Sequence, residues 1–270
     1  MEWERALANC RHMTDGAPLD AFTLVNVTTE AELLRQIADH LTQGHGFAVA
    51  TLNLDHIVKL RLQPDFLDAY LAHTHVVADG NPVVWLARLA GRRHVRLVPG
   101  SELIAPLTSL AADRRVPVAF FGSTDAVLRA AAKRLTAADR NLTVAACLSP
   151  AFGFDPRSAQ ADALLDEVAA SGARICFLAL GAPKQEIFAA RGLARHPHLG
   201  FVSIGAGLDF IAGHQSRAPL WVRKIAMEWL WRTLTNPRRL VRRYLDCILI
   251  LPSLTFSALA ERSRRRRGKP

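Results

Sequence analysis

Five short segments of this 270-residue chain place small and polar residues directly after an apolar run. They are Thr51 to Asn53, Asp79 with Gly80, Gly122 to Thr124, GAPKQE at 181–186 and GAGLD at 205–209. Asp79 closes the run HVVA, where a carboxylate suits general-base work on a hydroxyl or the holding of a ribose or sugar hydroxyl. The same position also suits a helix N-cap ahead of Pro82. In GAPKQE, Gly181 ends a strand and Pro183 opens a helix. The first-turn N–H groups of that helix are shaped to cradle phosphate, with Lys184 adding charge. An ordinary strand-to-helix loop reads the same way, because the segment matches neither a P-loop nor GxGxxG.

Other chemistries find little support. FFGSTDA reads as a Ser/Thr-capped helix start rather than an anion-binding turn. GAGLDF lacks the third glycine of the dinucleotide fingerprint, which leaves a nicotinamide-dependent enzyme remote. His56, His73 and His75 stand close in sequence, but no cysteine or second carboxylate completes a ligand set, so they are expected at the surface or at strand ends. No Gly-x-Ser-x-Gly or nucleophilic cysteine is present, and no DxD-like pair; Asp65 and Asp68 fall on an apparent surface helix. The expectation is a site for a nucleotide sugar or phosphate, with neither metal nor cofactor.

These segments need a frame that brings them together. Strands are expected at 47–52, 75–79, 95–98, 117–122, 142–147, 175–181 and 201–205. Helices are expected at 29–43, 64–73, 81–90, 101–113, 124–138, 158–171 and 184–195. Nearly continuous apolar strands alternating with helices predict an α/β fold, a Rossmann-like and mostly parallel sheet with helices on both faces. Such sheets bind ligands at the carboxyl ends of their strands, where the five segments fall.

With 50% apolar and 21% charged residues, the chain can build a sizeable core and is neither disordered nor a disulfide scaffold. Its four cysteines are scattered, and Cys176 reads as core filler, which fits a reducing compartment. The acidic, polar start is unlike a signal peptide. The longest apolar run, CILILP, is shorter than the ~20 residues a spanning helix needs.

The net charge is +10, yet residues 1–216 carry a net of −1 and residues 217–270 a net of +11. Asn236 and Pro237 suit the start of a helix on which Arg238, Arg239, Arg242 and Arg243 share one side. Leu240, Val241, Tyr244, Leu245 and Ile248 share the other, and RSRRRRGK follows. This is a pattern for lying on an anionic membrane surface. Nucleic-acid binding, suggested by the basic tail alone, is the alternative from another class; the tail lacks an aromatic stacking platform. The organisation expected is an N-terminal extension at 1–20, a catalytic core at 21–213, a helical membrane-associating appendage at 214–260 and a basic tail at 261–270.

In order along the chain, TLNLDHIVKL, VVADGNPVVWLARLAG, VRLVPGSELI, FFGSTDAVL, CLSPAFGF, FLALGAPKQEIF, SIGAGLDFIAGHQSRAPLWV and MEWLWRTLTNPRRLVRRYL resemble the WecG/TagA/CpsF glycosyltransferase family. The resemblance covers about residues 20 to 250. It implies a Rossmann-like core with a helical C-terminal appendage. It implies inverting transfer of a sugar, N-acetylmannosamine first and glucose or another hexose as the alternative, from a UDP-sugar to a polyprenyl-diphosphate-linked saccharide. The product would serve surface polysaccharide or wall polymer synthesis. The protein would sit peripherally on the cytoplasmic face of the inner membrane, bind no nucleic acid, and leave oligomerisation open.

By motif, the resemblance implies that Asp79 is the base that deprotonates the acceptor, that Thr51 and Asn53 line the same pocket, and that Gln185 stands near the donor. Arg96 corresponds to an arginine before the next glycine, with looser spacing here. Arg217, Arg232, Arg239 and Arg243 are the candidates for closing over the diphosphate. Simple attraction to lipid, about 1 kcal/mol per basic residue, is the plainer role for them. The run 264–267 is expected to serve lipid only, and Arg217, nearer the core, to serve the chemistry.

Overall fold

The computed structural model describes residues 21–214 and 237–267. The expected N-terminal extension, residues 215–236 of the expected appendage, and with them Arg217 and Arg232, lie outside the described residues. In chain order the elements are α1 (Glu30–Gln43), β1 (Phe47–Leu52), α2 (Leu54–Leu62), α3 (Pro64–Leu71), β2 (His75–Ala78) and α4 (Asn81–Leu89). Next come α5 (Ile104–Asp113), β3 (Val118–Gly122), α6 (Asp125–Ala138), β4 (Val144–Leu148) and α7 (Ala159–Ala170). The last are β5 (Ile175–Ala179), α8 (Lys184–Arg195), β6 (Gly200–Ser203), α9 (Gly207–Ala212) and α10 (Pro237–Arg267).

The strands form one six-stranded sheet in the order β2-β1-β6-β5-β3-β4, with every neighbouring pair parallel. All residues of β1, β2, β3, β5 and β6 are buried, as a sheet covered on both faces requires. Alternation along β1 divides the core. Phe47 and Val49 join α1, α5 and α6 on one side, whereas Ala48 faces α7 and α8, and Ala50 and Leu52 face α2 to α4.

Three local expectations change. The run 95–98 is not a strand: Arg96 N–H bonds to Thr28 O and Val98 N–H to Ala78 O, so the segment passes the end of β2 instead of pairing along one partner. Residues 54–62 form an unforeseen helix, started by Asn53, whose side chain accepts the His56 N–H. The run CILILP belongs to the 31-residue α10, which continues through Pro252. Its stretch Arg243–Arg267 is long and apolar enough to cross a membrane by length and composition alone. Here Cys247, Leu254 and Ala258 are buried, the last two in the cluster formed with α2 to α4.

Candidate active site

Parallel pairing sets the carboxyl ends of β2, β1, β6 and β5 side by side, so the segments that follow these strands share one edge of the sheet. Thr51 pairs with Val77 and Leu52 with Ala78, and Asp79 N–H extends the ladder to Leu52 O at 2.7 Å. Carrying that register one step further sets Asp79 beside Asn53. The cap of α4 is Gly80, at φ 106° and with no side chain to offer, so Asp79 does not hold the N-cap position. Thr51 is buried against Gly100: a Cβ on that glycine would lie 3.0 Å from Thr51 Oγ1 and 3.1 Å from Ser203 O. The loop before α5 therefore runs tightly over the ends of β1 and β6.

β3 leads outward to β4, whereas β5 leads back to β6, so the helices after these two neighbours leave to opposite faces. The crevice between their ends is where open α/β sheets bind ligands. Gly122 on one side has φ 102°, and a Cβ there would stand 2.6 Å from Ala179 O. Thr124 caps α6 by accepting the Val127 N–H, which bears out the capping role expected for FFGSTDA. On the other side Gly181 is exposed, and a Cβ on it would meet nothing. Lys184 Nζ reaches Phe154 O at 2.6 Å, and Ser149 Oγ donates to Ser123 O at 2.8 Å; these two bonds tie the loop after β4 to both walls.

Gln185 is buried, and both ends of its amide are engaged. Its Nε2 donates to Glu186 Oε1 at 2.8 Å, and its Oε1 accepts the Gly205 N–H at 3.1 Å. Glu186 is fully buried, and its Oε2 meets no hydrogen-bond partner among the described residues. Burial pushes its carboxyl up to about 7, against the pull of Gln185 and Lys59. Tyr70 lies in the same field: burial and then the charges of Glu186, Asp79 and Asp55 raise its hydroxyl well above the ordinary range.

The neighbours of that hydroxyl include His56, expected at the surface or a strand end, and Asp55, which motif spacing did not single out. His56 Nδ1 and Tyr70 Oη lie 2.6 Å apart, and burial drives the His56 imidazole down to about 3, so it is neutral. Asp55 pairs with Lys59 at 2.8 Å and with Arg243 of α10 at 2.9 Å. Lys59 Nζ also donates to Ala182 O at 3.1 Å, in the GAPKQE segment. An i,i+4 Asp/Lys pair in the segment that follows Asn53 was the available signal.

The remaining expectations are met unevenly. Arg96 is exposed, and its Nη1 donates to Arg93 O at 3.0 Å. Arg239 lies on α10, and its side chain is outside the described residues. His56, His73 and His75 are buried, not superficial. His73 bonds to Ala69 O and His75 to Thr74 Oγ1, contacts that compensate the burial of each ring. Among the described residues no group of three or more His, Cys, Asp or Glu side chains is placed to hold a metal ion.

The chain is 22% identical over 246 residues, 91% of each chain, to the N-acetylglucosaminyldiphosphoundecaprenol N-acetyl-beta-D-mannosaminyltransferase of Bacillus subtilis (strain 168). Residues 20–268 match the glycosyl transferase WecG/TagA/CpsF family. With nearly the whole chain matched and its expected parallel α/β core present, the protein belongs to that family and is a glycosyltransferase.

Proposed function

We propose that the protein transfers a sugar, with inversion, from a UDP-sugar to a polyprenyl-diphosphate-linked saccharide whose first sugar is N-acetylglucosamine. The observation that carries the reading is the placement of Asp79 beside Asn53 at one end of an edge that reaches the β3/β5 crevice at the other. From β5 to β2 is three strand spacings, about 14 Å. A UDP-sugar laid along this edge, with its uridine at the crevice, passes its diphosphate by the first turn of α8 and presents its sugar to Asp79. N-acetylmannosamine is the donor sugar favoured by the Bacillus subtilis relative, with glucose or another hexose as the alternative.

In this reading Asp79 takes the proton from the acceptor hydroxyl as that oxygen attacks the anomeric carbon. The bond from that carbon to the UDP oxygen breaks on the opposite face, and UDP leaves with an added negative charge. Donors fixed in advance around such a leaving group lower the barrier. Those available are the N–H groups that open α8, Lys184 and a guanidinium of the appendage.

The acceptor lipid requires a protein that lies on the membrane. Val241, Leu245, Ile248, Leu249, Phe256 and Leu259 are exposed on α10 and share an arc of about 100°. That stripe lies opposite the packed Leu254 and Ala258, and exposed Arg266 and Arg267 flank its end. A helix packed on one side and apolar on the other suits lying in the plane of an anionic surface, on the cytoplasmic face where UDP-sugars are found. The run 264–267 is not uniform, since Arg264 and Arg265 both pair with Glu261.

The test is UDP release from a panel of UDP-sugars with a polyprenyl-diphosphate N-acetylglucosamine acceptor and anionic vesicles. Release from one donor only when the acceptor is present is expected. Equal release without acceptor, or none from any donor, would overturn the assignment.

A further inference from the structure

Asp55 joins three parts of the molecule that the proposed reaction needs together. It sits in the first turn of α2, two residues after Asn53, and is nearly buried. Its carboxylate holds Lys59 Nζ at 2.8 Å through one oxygen and Arg243 Nε at 2.9 Å through the other. The same Lys59 Nζ donates to Ala182 O at 3.1 Å, immediately ahead of the turn that opens α8. We propose that Asp55 is a positioning residue: it clasps α10 to α2 and, through Lys59, sets the Gly181–Lys184 turn for the donor while α10 is docked. The functional arm of this inference rests on the proposed glycosyl transfer.

Packing alone does not require the clasp. Leu254 and Ala258 are fully buried and seat α10, and Arg61 Nη1 donates to Ser253 Oγ at 3.0 Å further along. Asp55 is nearly buried while Arg243 is about two-fifths exposed, so removing either partner costs α10 part of its local stability and leaves its apolar seat intact. The contacts are ion pairs, with no hydrogen bond at Arg243 Nε or Asp55 Oδ2 among the described residues, and a carboxylate between two cations draws α10 and the lysine to one point. His56, Tyr70 and Glu186 lie in the same field and bring no third cation, since His56 is neutral. In this arrangement Arg243 Nε faces Asp55, which leaves Arg217, Arg232 and Arg239 as the other candidates for the diphosphate.

The experiment uses the full chain on anionic vesicles, with Asp55→Asn, Arg243→Gln, their double variant, Asp55→Glu and Lys59→Met. Hydrogen exchange over residues 247–258 needs no turnover. It should rise by about tenfold in Asp55→Asn and in Arg243→Gln, and stay at the wild-type rate in Lys59→Met. In UDP release, the two single changes should each lower kcat about tenfold, and the double should lower it no further, as expected of residues acting through one contact. Lys59→Met should raise the donor KM with kcat little changed, and Asp55→Glu should recover part of the loss. Unchanged exchange in Asp55→Asn would overturn the clasp. So would losses that multiply in the double variant, which would put Arg243 on the substrate by itself. Should the wild-type protein release no UDP from any donor, the transfer reading falls, and the exchange measurement decides the clasp.

Discussion

Gln185 donates its side-chain amide to the carboxylate of its chain neighbour Glu186 at 2.8 Å, while its carbonyl oxygen accepts the Gly205 N–H. The segment after β5 is thereby tied to the segment after β6. Replacing Gln185 with Ala removes both bonds and strips a buried carboxylate of its donor. The expected cost is about 2–4 kcal/mol in denaturant unfolding, together with a lower kcat/KM, because Gly205 loses its anchor.

Glu186 predicts a pH dependence of stability. Its carboxyl rises from 4.5 to about 7 on folding, chiefly through burial, so between those values the folded protein binds more protons than the unfolded chain. The stability it contributes is full below 4.5 and is lost as pH rises through about 7. The buried histidines act with the opposite sign. His56 falls to about 3 and His73 and His75 to about 4, so their contribution holds above 6.5 and is lost toward acid. Glu186→Gln keeps an oxygen for Gln185, and the difference between variant and wild type isolates the glutamate. That difference should grow by roughly 1–3 kcal/mol in favour of the variant from pH 4.5 to 7.5; a flat difference would count against it.

Asp79→Asn should keep the fold and donor binding and lower kcat by about 10²–10⁴, the usual weight of a general base. Single-turnover UDP release measures the effect. Full turnover in this variant would move the base to another residue.

Gly122→Ala should destabilise the protein by about 2–4 kcal/mol, seen as a lower Tm. The position has φ 102°, and the added carbon meets Ala179 O at 2.6 Å across the paired strand.

Leu249 and Phe256 are each about three-quarters exposed on the outer stripe of α10. Replacing both with Glu should leave thermal stability unchanged and weaken anionic-vesicle binding about 100-fold or more, since each lost insertion is worth about 1.5–3 kcal/mol. Unaltered vesicle binding would remove α10 from the membrane contact.

The frame of this protein was legible in its sequence because alternation is a local property. Apolar runs such as FAVATL and ICFLA announce strands buried on both faces, and small polar clusters after them announce the strand ends. Motif order along the chain likewise carried the family, which needs no coordinates. Local pattern misled where a partner distant in sequence set the outcome. VRLV looks like a strand, but the carbonyls that accept its N–H groups include those of Thr28 and Ala78, not a row on one neighbouring strand. The histidines look superficial until Tyr70, Ala69 and Thr74 supply the bonds that allow them inside.

Only the tertiary structure decided which residues share the site. Strand order sets Asp79 beside Asn53, 26 positions earlier, and puts the GAPKQE segment within reach of Lys59. Asp55 meets Arg243 across nearly two hundred positions, and no periodicity encodes that encounter. Spacing along a chain reports what one helix or strand does with its own faces. Which charges meet depends on how those faces pack, and packing is a property of the whole chain at once.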